Sequence, residues 1–158
     1  MCIRDRYIYD WNGSAWVQRG STIYGSSGDQ IGKGIALNDS GTIMTYSSSH
    51  IKKAWVYQYA DSAWSQYGDT IDYQKFGSQS NRMLSLVDIT GDGKKIIFCY
   101  TNSSYSRNYL NILTLIGSTW TVSSTALINN GMIKSSFISN DGSAAGVGVE
   151  GMVSICLL

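Results

Sequence analysis

The stretch Asn12 to Ile23, NGSAWVQRGSTI, returns 48 residues later as ADSAWSQYGDTI, Ala60 to Ile71, with seven of twelve positions identical. A chain that says the same thing twice at that distance builds the same supersecondary unit more than once. Two signals alternate along it. The first is an aromatic strand pair, YIYDWNGSAWVQRG, WVYQYADSAWSQYG and the weaker LNILTLIGSTWTVS, anchored on Trp16, Trp64 and Trp120 at spacings of 48 and 56. The second is a strand pair around a glycine turn, IALNDSGTIM, LVDITGDGKKII and SFISNDGSAAGV, anchored on Gly41, Gly93 and Gly142 at spacings of 52 and 49.

Each period holds four short strands. The best-defined unit is expected at 34–38, 42–48, 54–60 and 63–67, the next at 83–89, 95–101, 109–115 and 119–123. Their residues alternate or are β-branched and aromatic, as in AWVYQYA. The joints NDSG, TGDG, SNDG, NGS, ADS and IGS are short and made of residues that accept tight hairpin turns. Longer connections rich in Gly, Ser, Gln and Asn are expected near 20–33, 68–82 and 124–132. No stretch keeps a helical period, and 11 Tyr, 5 Trp and 17 Gly suit a β-rich chain with many turns. The absence of Pro has no physical account.

Four antiparallel strands every 50 or so residues describe a β-propeller blade. The pattern strand, S-x-DG turn, strand, V-x-V-Y strand, G-x-x-W-x-Q-x-G strand resembles propeller repeats of algal and marine microbial proteins, distantly like FG-GAP and WD-repeat propellers. Tyr57, Tyr59, Trp64, Gln66 and Gly68 carry it in one unit and Tyr9, Trp16, Gln18 and Gly20 in another, and it covers roughly residues 7–149. The third unit is eroded, with Thr121-Val122 where the others have a residue and then Gln. The resemblance implies an all-β arc of about three four-stranded blades: a partial blade 7–23, blades 34–67 and 83–123, and a partial blade 133–158. Closed propellers have four to eight blades. The expectation is therefore an arc cut from a larger ring, with missing blades of the same chain as its neighbours. Each anchor Trp is expected to pack between adjacent sheets, where a large aromatic buries most area; stacking on a sugar is the alternative.

The opening MCIRDR resembles a translated sequencing-adapter read-through of metagenomic gene predictions, so residues 1–6 are set apart as a non-native leader. Net charge is +1, from 12 Lys and Arg against 11 Asp and Glu, and zero without those six residues. That gives no electrostatic case for nucleic acid or an anionic membrane surface. No apolar run is long enough to span a bilayer. Cys2, Cys99 and Cys156 have no metal-ligand or CxxC spacing and read as buried thiols.

Site chemistry is sparse. LVDITGDGKKI offers Asp88, Thr90 and Asp92 as alternating oxygens, but Ile96 stands where FG-GAP loops place a closing carboxylate, so a plain turn is preferred over calcium. NDSGTI only partly matches the sialidase Asp-box, with Leu37 in place of its Ser. His50 is the one histidine and belongs to no catalytic motif. Asn12, Asn38 and Asn102 begin N-x-Ser/Thr sequons that a Ser- and Asn-rich chain produces by chance. No catalytic residue, metal site or cofactor is assigned. In a four-stranded blade, the connections 20–33, 68–82, 49–53 and 102–108 emerge on one face. They carry Tyr24, Asp29, His50, Tyr73, Lys75, Phe76, Arg82, Tyr105 and Arg107, of which Tyr73, Phe76, Arg82, Tyr105 and Arg107 are the candidate ligand-binding patch. The function expected is a non-catalytic binding or scaffold module presenting that face to a protein or glycan. A fragment of an extracellular glycan-cleaving propeller, its catalytic acids elsewhere, is the alternative. An extracellular or cell-surface location goes with either.

Overall fold

The computed structural model describes residues 5–26, 28–29, 31–76, 82–102, 107–129, 131–150 and 152–157; at 76, 82–85, 102, 129 and 152–157 it describes the backbone alone. The protein is all-β, in four consecutive antiparallel sheets. The first pairs β1 (Tyr9–Trp11) with β2 (Trp16–Gln18). The second runs in order β3 (Gly34–Leu37), β4 (Ile43–Ser48), β5 (Lys53–Ala60) and β6 (Ala63–Gln66), with the short β7 (Ile71–Asp72) also on β5. The third is the meander β8 (Arg82–Ile89), β9 (Lys95–Asn102), β10 (Arg107–Ile116) and β11 (Thr119–Asn129). The fourth is β12 (Ile133–Ile138), β13 (Ala144–Val149) and β14 (Met152–Leu157). The first strands β3, β8 and β12 of successive sheets lie side by side, so the sheets stand as blades around them. This is the arrangement of a β-propeller. Among the described residues no helix is long and apolar enough to cross a membrane, which says nothing of a β-barrel.

Burial explains the strand sequences. Three cores fill the spaces between four sheets. Ile8, Ile23, Met44, Tyr46 and Trp64 pack between the first and second. Ile43, Val56, Ile71, Val87, Ile96, Phe98, Leu113 and Trp120 pack between the second and third. Ile97, Cys99, Leu110, Ile112, Ile138 and Val147 pack between the third and fourth. A strand with a core on each side must be apolar on both, which is why IIFCY in β9 is continuously apolar rather than alternating. Its even members Ile96 and Phe98 face one core, and its odd members Ile97 and Cys99 the other.

The glycine turns share one hydrogen-bond pattern. The amides of Gly41, Gly93 and Gly142 donate to the carbonyls of Asn38, Thr90 and Ser139 at 2.9, 2.9 and 2.8 Å. The side chains of those same three residues accept the amides of Ile43, Lys95 and Ala144. A polar side chain at the first position and a glycine three residues on thus close every one of these turns.

The last strand of the third sheet departs from expectation. The sequence pattern ends it at 123 with a connection over 124–132, yet β11 continues to Asn129. A bulge explains this. Ile112 pairs with Ser124 and Leu113 with Val122, leaving Ser123 over, and its hydroxyl bonds to the Ile112 carbonyl at 3.1 Å. The extra residue shifts the register by one, and in the new register the ladder runs on from Ile112–Ser124 to Arg107–Asn129. Arg6 also enters the fold. It exchanges backbone hydrogen bonds with Ile23 at 3.0 and 3.1 Å, the place that Ala54 and Ile71 hold 48 residues later.

Candidate functional site

The repeated W-x-Q-x-G has a structural job, visible twice. Trp64 Nε1 donates to the Arg19 carbonyl at 2.9 Å, and Trp120 Nε1 donates to the Tyr67 carbonyl at 3.0 Å. In each case the indole of one sheet reaches back to the residue before the motif glycine of the preceding sheet. Gly20 lies under Tyr59 and Trp64, and Gly68 under Leu115 and Trp120. A Cβ on Gly20 would meet the Tyr59 ring at 2.8 Å, and one on Gly68 the Trp120 Nε1 at 2.6 Å. Both glycines also have positive φ, 68° and 81°. The motif Gln tethers the link that follows. Gln18 Nε2 donates to the Gly20 carbonyl and the Thr22 hydroxyl at 3.1 and 3.3 Å, and Gln66 does the same to Gly68 and Thr70 at the same distances. Trp64 and Trp120 are therefore committed to holding sheets together.

The hairpin connections divide between two ends of the sheets. At one end the tips of the three glycine turns interlock. The Gly91 amide donates to the Asn140 carbonyl at 3.0 Å, Asn38 Nδ2 to the Gly91 carbonyl at 3.3 Å, and Asn140 Nδ2 to Asp39 Oδ2 at 2.8 Å. The carboxylates here serve their own turns. Asp92 accepts from the Thr90 hydroxyl and the Lys94 amide, which hold its pKa below the usual range. Asp141 accepts from the Ser139 hydroxyl and from the amide and hydroxyl of Ser143, and is held down to about 2. Asp88 accepts the amides of Ile89 and Ile138. Asp88, Thr90 and Asp92, the alternating oxygens of this turn, are thus hydrogen-bonded within the hairpin and to the neighbouring sheet. Among the described residues no three His, Cys, Asp or Glu side chains come together as metal ligands.

The other end carries the longer connections. The Gly32 amide donates to the Ser47 carbonyl at 3.1 Å, and the Ser48 hydroxyl donates to the Asp29 carbonyl. The Tyr73 hydroxyl donates to the Ser48 carbonyl at 2.9 Å. Its ring packs on Phe98 and Tyr100, with centroids at 4.8 and 6.2 Å. Tyr100 in turn stacks on Tyr109 of β10 at 4.9 Å. The links after β2 and β6 and the turn after β4 therefore meet at the end where β9 gives way to β10.

Beside the Ser48–Asp29 contact, between the first and second sheets, a cavity of about 170 Å³ is lined by Arg6, Tyr24, Gly25, Ser26, Asp29, Ile31, Tyr46, Trp55 and Tyr57. Its floor is aromatic. Tyr46 stacks on Trp55 at 5.3 Å and lies 5.7 Å from Tyr57, and the Arg6 guanidinium sits over the Tyr46 ring at 4.1 Å. Tyr24, Gly25, Ser26, Asp29 and Ile31 line its other side, and there the Ser26 amide donates to Asp29 Oδ2 at 3.1 Å. Tyr24 is 74% exposed at its mouth. A shallower recess of about 520 Å³, lined by Asp5, Arg6, Tyr7, Ile31, Gly32 and Ile35, lies on the other side of Arg6 and Ile31. Burial raises the Tyr46 pKa, Tyr57 adds to the rise, and Arg6 opposes it. Tyr46 therefore stays a neutral phenol that donates and accepts hydrogen bonds. Burial likewise pushes the Cys99 thiol up to about 12, which leaves it a packing group rather than a nucleophile.

Of the five residues proposed from sequence, Tyr73 is 1% exposed and belongs to the core; its hydroxyl and ring are both used internally. Read as a loop residue, it is instead the first residue of a single 3-10 turn, Tyr73–Phe76, that tucks the link inward. The side chains of Phe76 and Arg82, and Tyr105 altogether, lie outside the described residues. Arg107 is exposed at the start of β10. Sequence reasoning missed Arg6, Tyr46, Trp55 and Tyr57. The available signal was the run Trp55, Tyr57, Tyr59, three aromatics two apart on one face of a strand.

No protein-family model matches the chain, and neither does any curated protein sequence. Solved structures do match in shape. A chain of the mitotic checkpoint complex is similar at TM-score 0.63 and 12% identity, over 93% of this chain and 43% of that one. A Bacteroides fragilis protein provisionally assigned as a 6-phosphogluconolactonase is similar at 0.61 and 14%, over 93% and 42%. A Lactobacillus plantarum protein is similar at 0.59 and 11%, over 98% and 48%. The neighbours are β-propellers, and the fold is a propeller fold. The chain spans less than half the length of each of these three structures.

Proposed function

We propose that the chain is a non-catalytic binding module that takes a glycan at the connection end, in the cavity lined by Tyr24, Ser26, Asp29, Tyr46, Trp55 and Tyr57. The aromatic floor carries this reading. A sugar ring has an apolar face that stacks on aromatic rings and a hydroxyl edge that needs donors and acceptors. Trp55 and Tyr57 are half-buried in the floor, Tyr24 stands exposed at the mouth, and Ser26, Asp29 and Tyr46 supply polar groups. A cavity of about 170 Å³ suits one pyranose ring, with the rest of a glycan outside. Phe76, Arg82, Tyr105 and Arg107 are kept as further candidate ligand-binding residues; Tyr73, buried in the core, is not. Loops on a rigid sheet scaffold are where binding residues usually sit.

The test is calorimetric titration with hexoses and N-acetylhexosamines and with their short oligomers. Saturable binding that Tyr24→Ala weakens at least about tenfold, the share of one good stacking contact, with no change in melting temperature, is the expected result. No binding by any sugar, or binding that Tyr24→Ala and Arg107→Ala leave intact, sinks the proposal.

A further inference from the structure

Among the described residues the pairs that clamp the motif glycines occur three times, and two of them are filled. Tyr59 and Trp64 face each other across β5 and β6 and clamp Gly20. Leu115 and Trp120 face each other across β10 and β11 and clamp Gly68. Trp11 and Trp16 face each other across β1 and β2 in the same register, 48 residues before Tyr59 and Trp64, with ring centroids 5.6 Å apart. Yet Trp16 is 67% exposed and Trp11 55%, whereas Trp64 and Trp120 are 8% and 4% exposed. Tyr9 and Val17 beside them are 49% exposed each. The face is a continuation of the interfaces already described, with its recognition groups in place.

From this repetition we infer that the Trp11–Trp16 face is a docking site for one further repeat unit of the same kind, recognised through its Gln-x-Gly-x-Thr strand exit. The chemistry is stated by the two filled copies. The Trp16 indole N–H donates to the carbonyl of the residue before the glycine. Trp11 and Trp16 close over the glycine, where a Cβ has no room. The Gln holds the following link in the shape that presents both. A second copy of this chain cannot supply that exit, because its Gln18-Arg19-Gly20 and Gln66-Tyr67-Gly68 are already taken by its own Trp64 and Trp120. The third unit reads Trp120-Thr121-Val122-Ser123-Ser124, with neither the Gln nor the Gly.

The experiment lengthens the protein by one period. A copy of residues 5–52 inserted ahead of Asp5 places the copied Arg19 and Gly20 at the same sequence distance from Trp16 as the native pair stands from Trp64. The copied Trp16 is changed to Phe so that the original alone reports. The Trp16 indole N–H, assigned by loss of its signal in Trp16→Phe, is followed by hydrogen exchange and acrylamide quenching. In the 158-residue protein it should be open to both. In the extended chain it should be protected several-fold, and Gly20→Ala in the copied segment should restore access. Trp16→Phe should leave the melting temperature of the parent unchanged and lower that of the extended chain by several degrees. Equal exposure in both chains, or protection that the copied Gly20→Ala does not relieve, overturns the proposal. Should the extended chain fail to fold, a peptide of residues 54–72 is titrated into the parent. Saturable change at the Trp16 indole with this peptide, and none with its Gly68→Ala variant, supports the site. No change, or the same change with both peptides, overturns it. Trp16 protection that grows with protein concentration alone, or on adding sugars alone, assigns the face to self-association or glycan and also overturns it.

Discussion

Replacing Trp64 by Ala removes a side chain that is 8% exposed, loses a 2.9 Å hydrogen bond to the Arg19 carbonyl, and uncovers Gly20 and Tyr59. A Trp truncated in a core costs about 3–5 kcal/mol. That total includes the lost hydrogen bond, about 1 kcal/mol when isolated. Trp64→Phe separates the two, because it keeps most of the ring and loses the N–H, and should cost about 1–2 kcal/mol. For a domain of this size each kcal/mol is about 2–4 °C in Tm, so Trp64→Ala should melt about 6–20 °C lower. Trp16 has the same motif position and is 67% exposed, so Trp16→Ala should stay within about 0.5 kcal/mol of the parent. The assay is thermal unfolding by circular dichroism, with urea titration to check that the transition is cooperative. An unchanged Tm for Trp64→Ala would refute the packing role of the motif. So would equal losses for Trp64→Ala and Trp16→Ala, because Trp64 covers the Gly20 link and Trp16 covers no such link among the described residues.

Gly68→Ala forces a side chain to positive φ and sets its Cβ 2.6 Å from Trp120 Nε1, so it should cost about 2 kcal/mol or more in urea unfolding. Cys99 is buried with its pKa pushed up to about 12, so peptide-level mass spectrometry should find it unalkylated by iodoacetamide at pH 8 in the native protein and alkylated in urea. The Asp141 carboxyl is held down to about 2 in the fold, below its ordinary value of 3.8. A depressed folded pKa gives stability that is present above the unfolded value and lost as pH falls through the folded one, so its contribution should fade between about pH 4 and pH 2. A carbon-detected NMR titration should place its midpoint near 2, and Ser139→Ala should move that midpoint up.

The blade pattern was readable because one-dimensional spacing and strand order coincide in a meander. Each hairpin joins neighbours in space, so the Gly turns and W-x-Q-x-G anchors fall at the same structural places as in the sequence. The doubly apolar β9 and the exposed Trp16 could not be separated that way. Burial of Trp64 and exposure of Trp16 are set by which link lies behind each one, and the twelve-residue phrase is nearly the same for both. The bulge at Ser123 was unreadable because nothing in TWTVSSTALIN marks where an extra residue enters. Tyr73 was misjudged because link composition says polar and exposed, while one 3-10 turn rotates its ring into the core against Phe98. The cavity was missed because its residues come from distant places: Arg6 ahead of β1, Tyr24 on a link, Tyr46 on β4, and Trp55 and Tyr57 on β5.

The central claim is that Trp64 and Trp120 each seal their own sheet to the glycine link of the sheet before it. Nuclear Overhauser contacts from the indole N–H protons test it most directly. The account requires Trp64 Hε1 to contact the Gly20 α-protons and Trp120 Hε1 to contact the Gly68 α-protons, each with slow exchange against water. Contacts of either indole confined to its own sheet, or exchange as fast as that of Trp16, would contradict it.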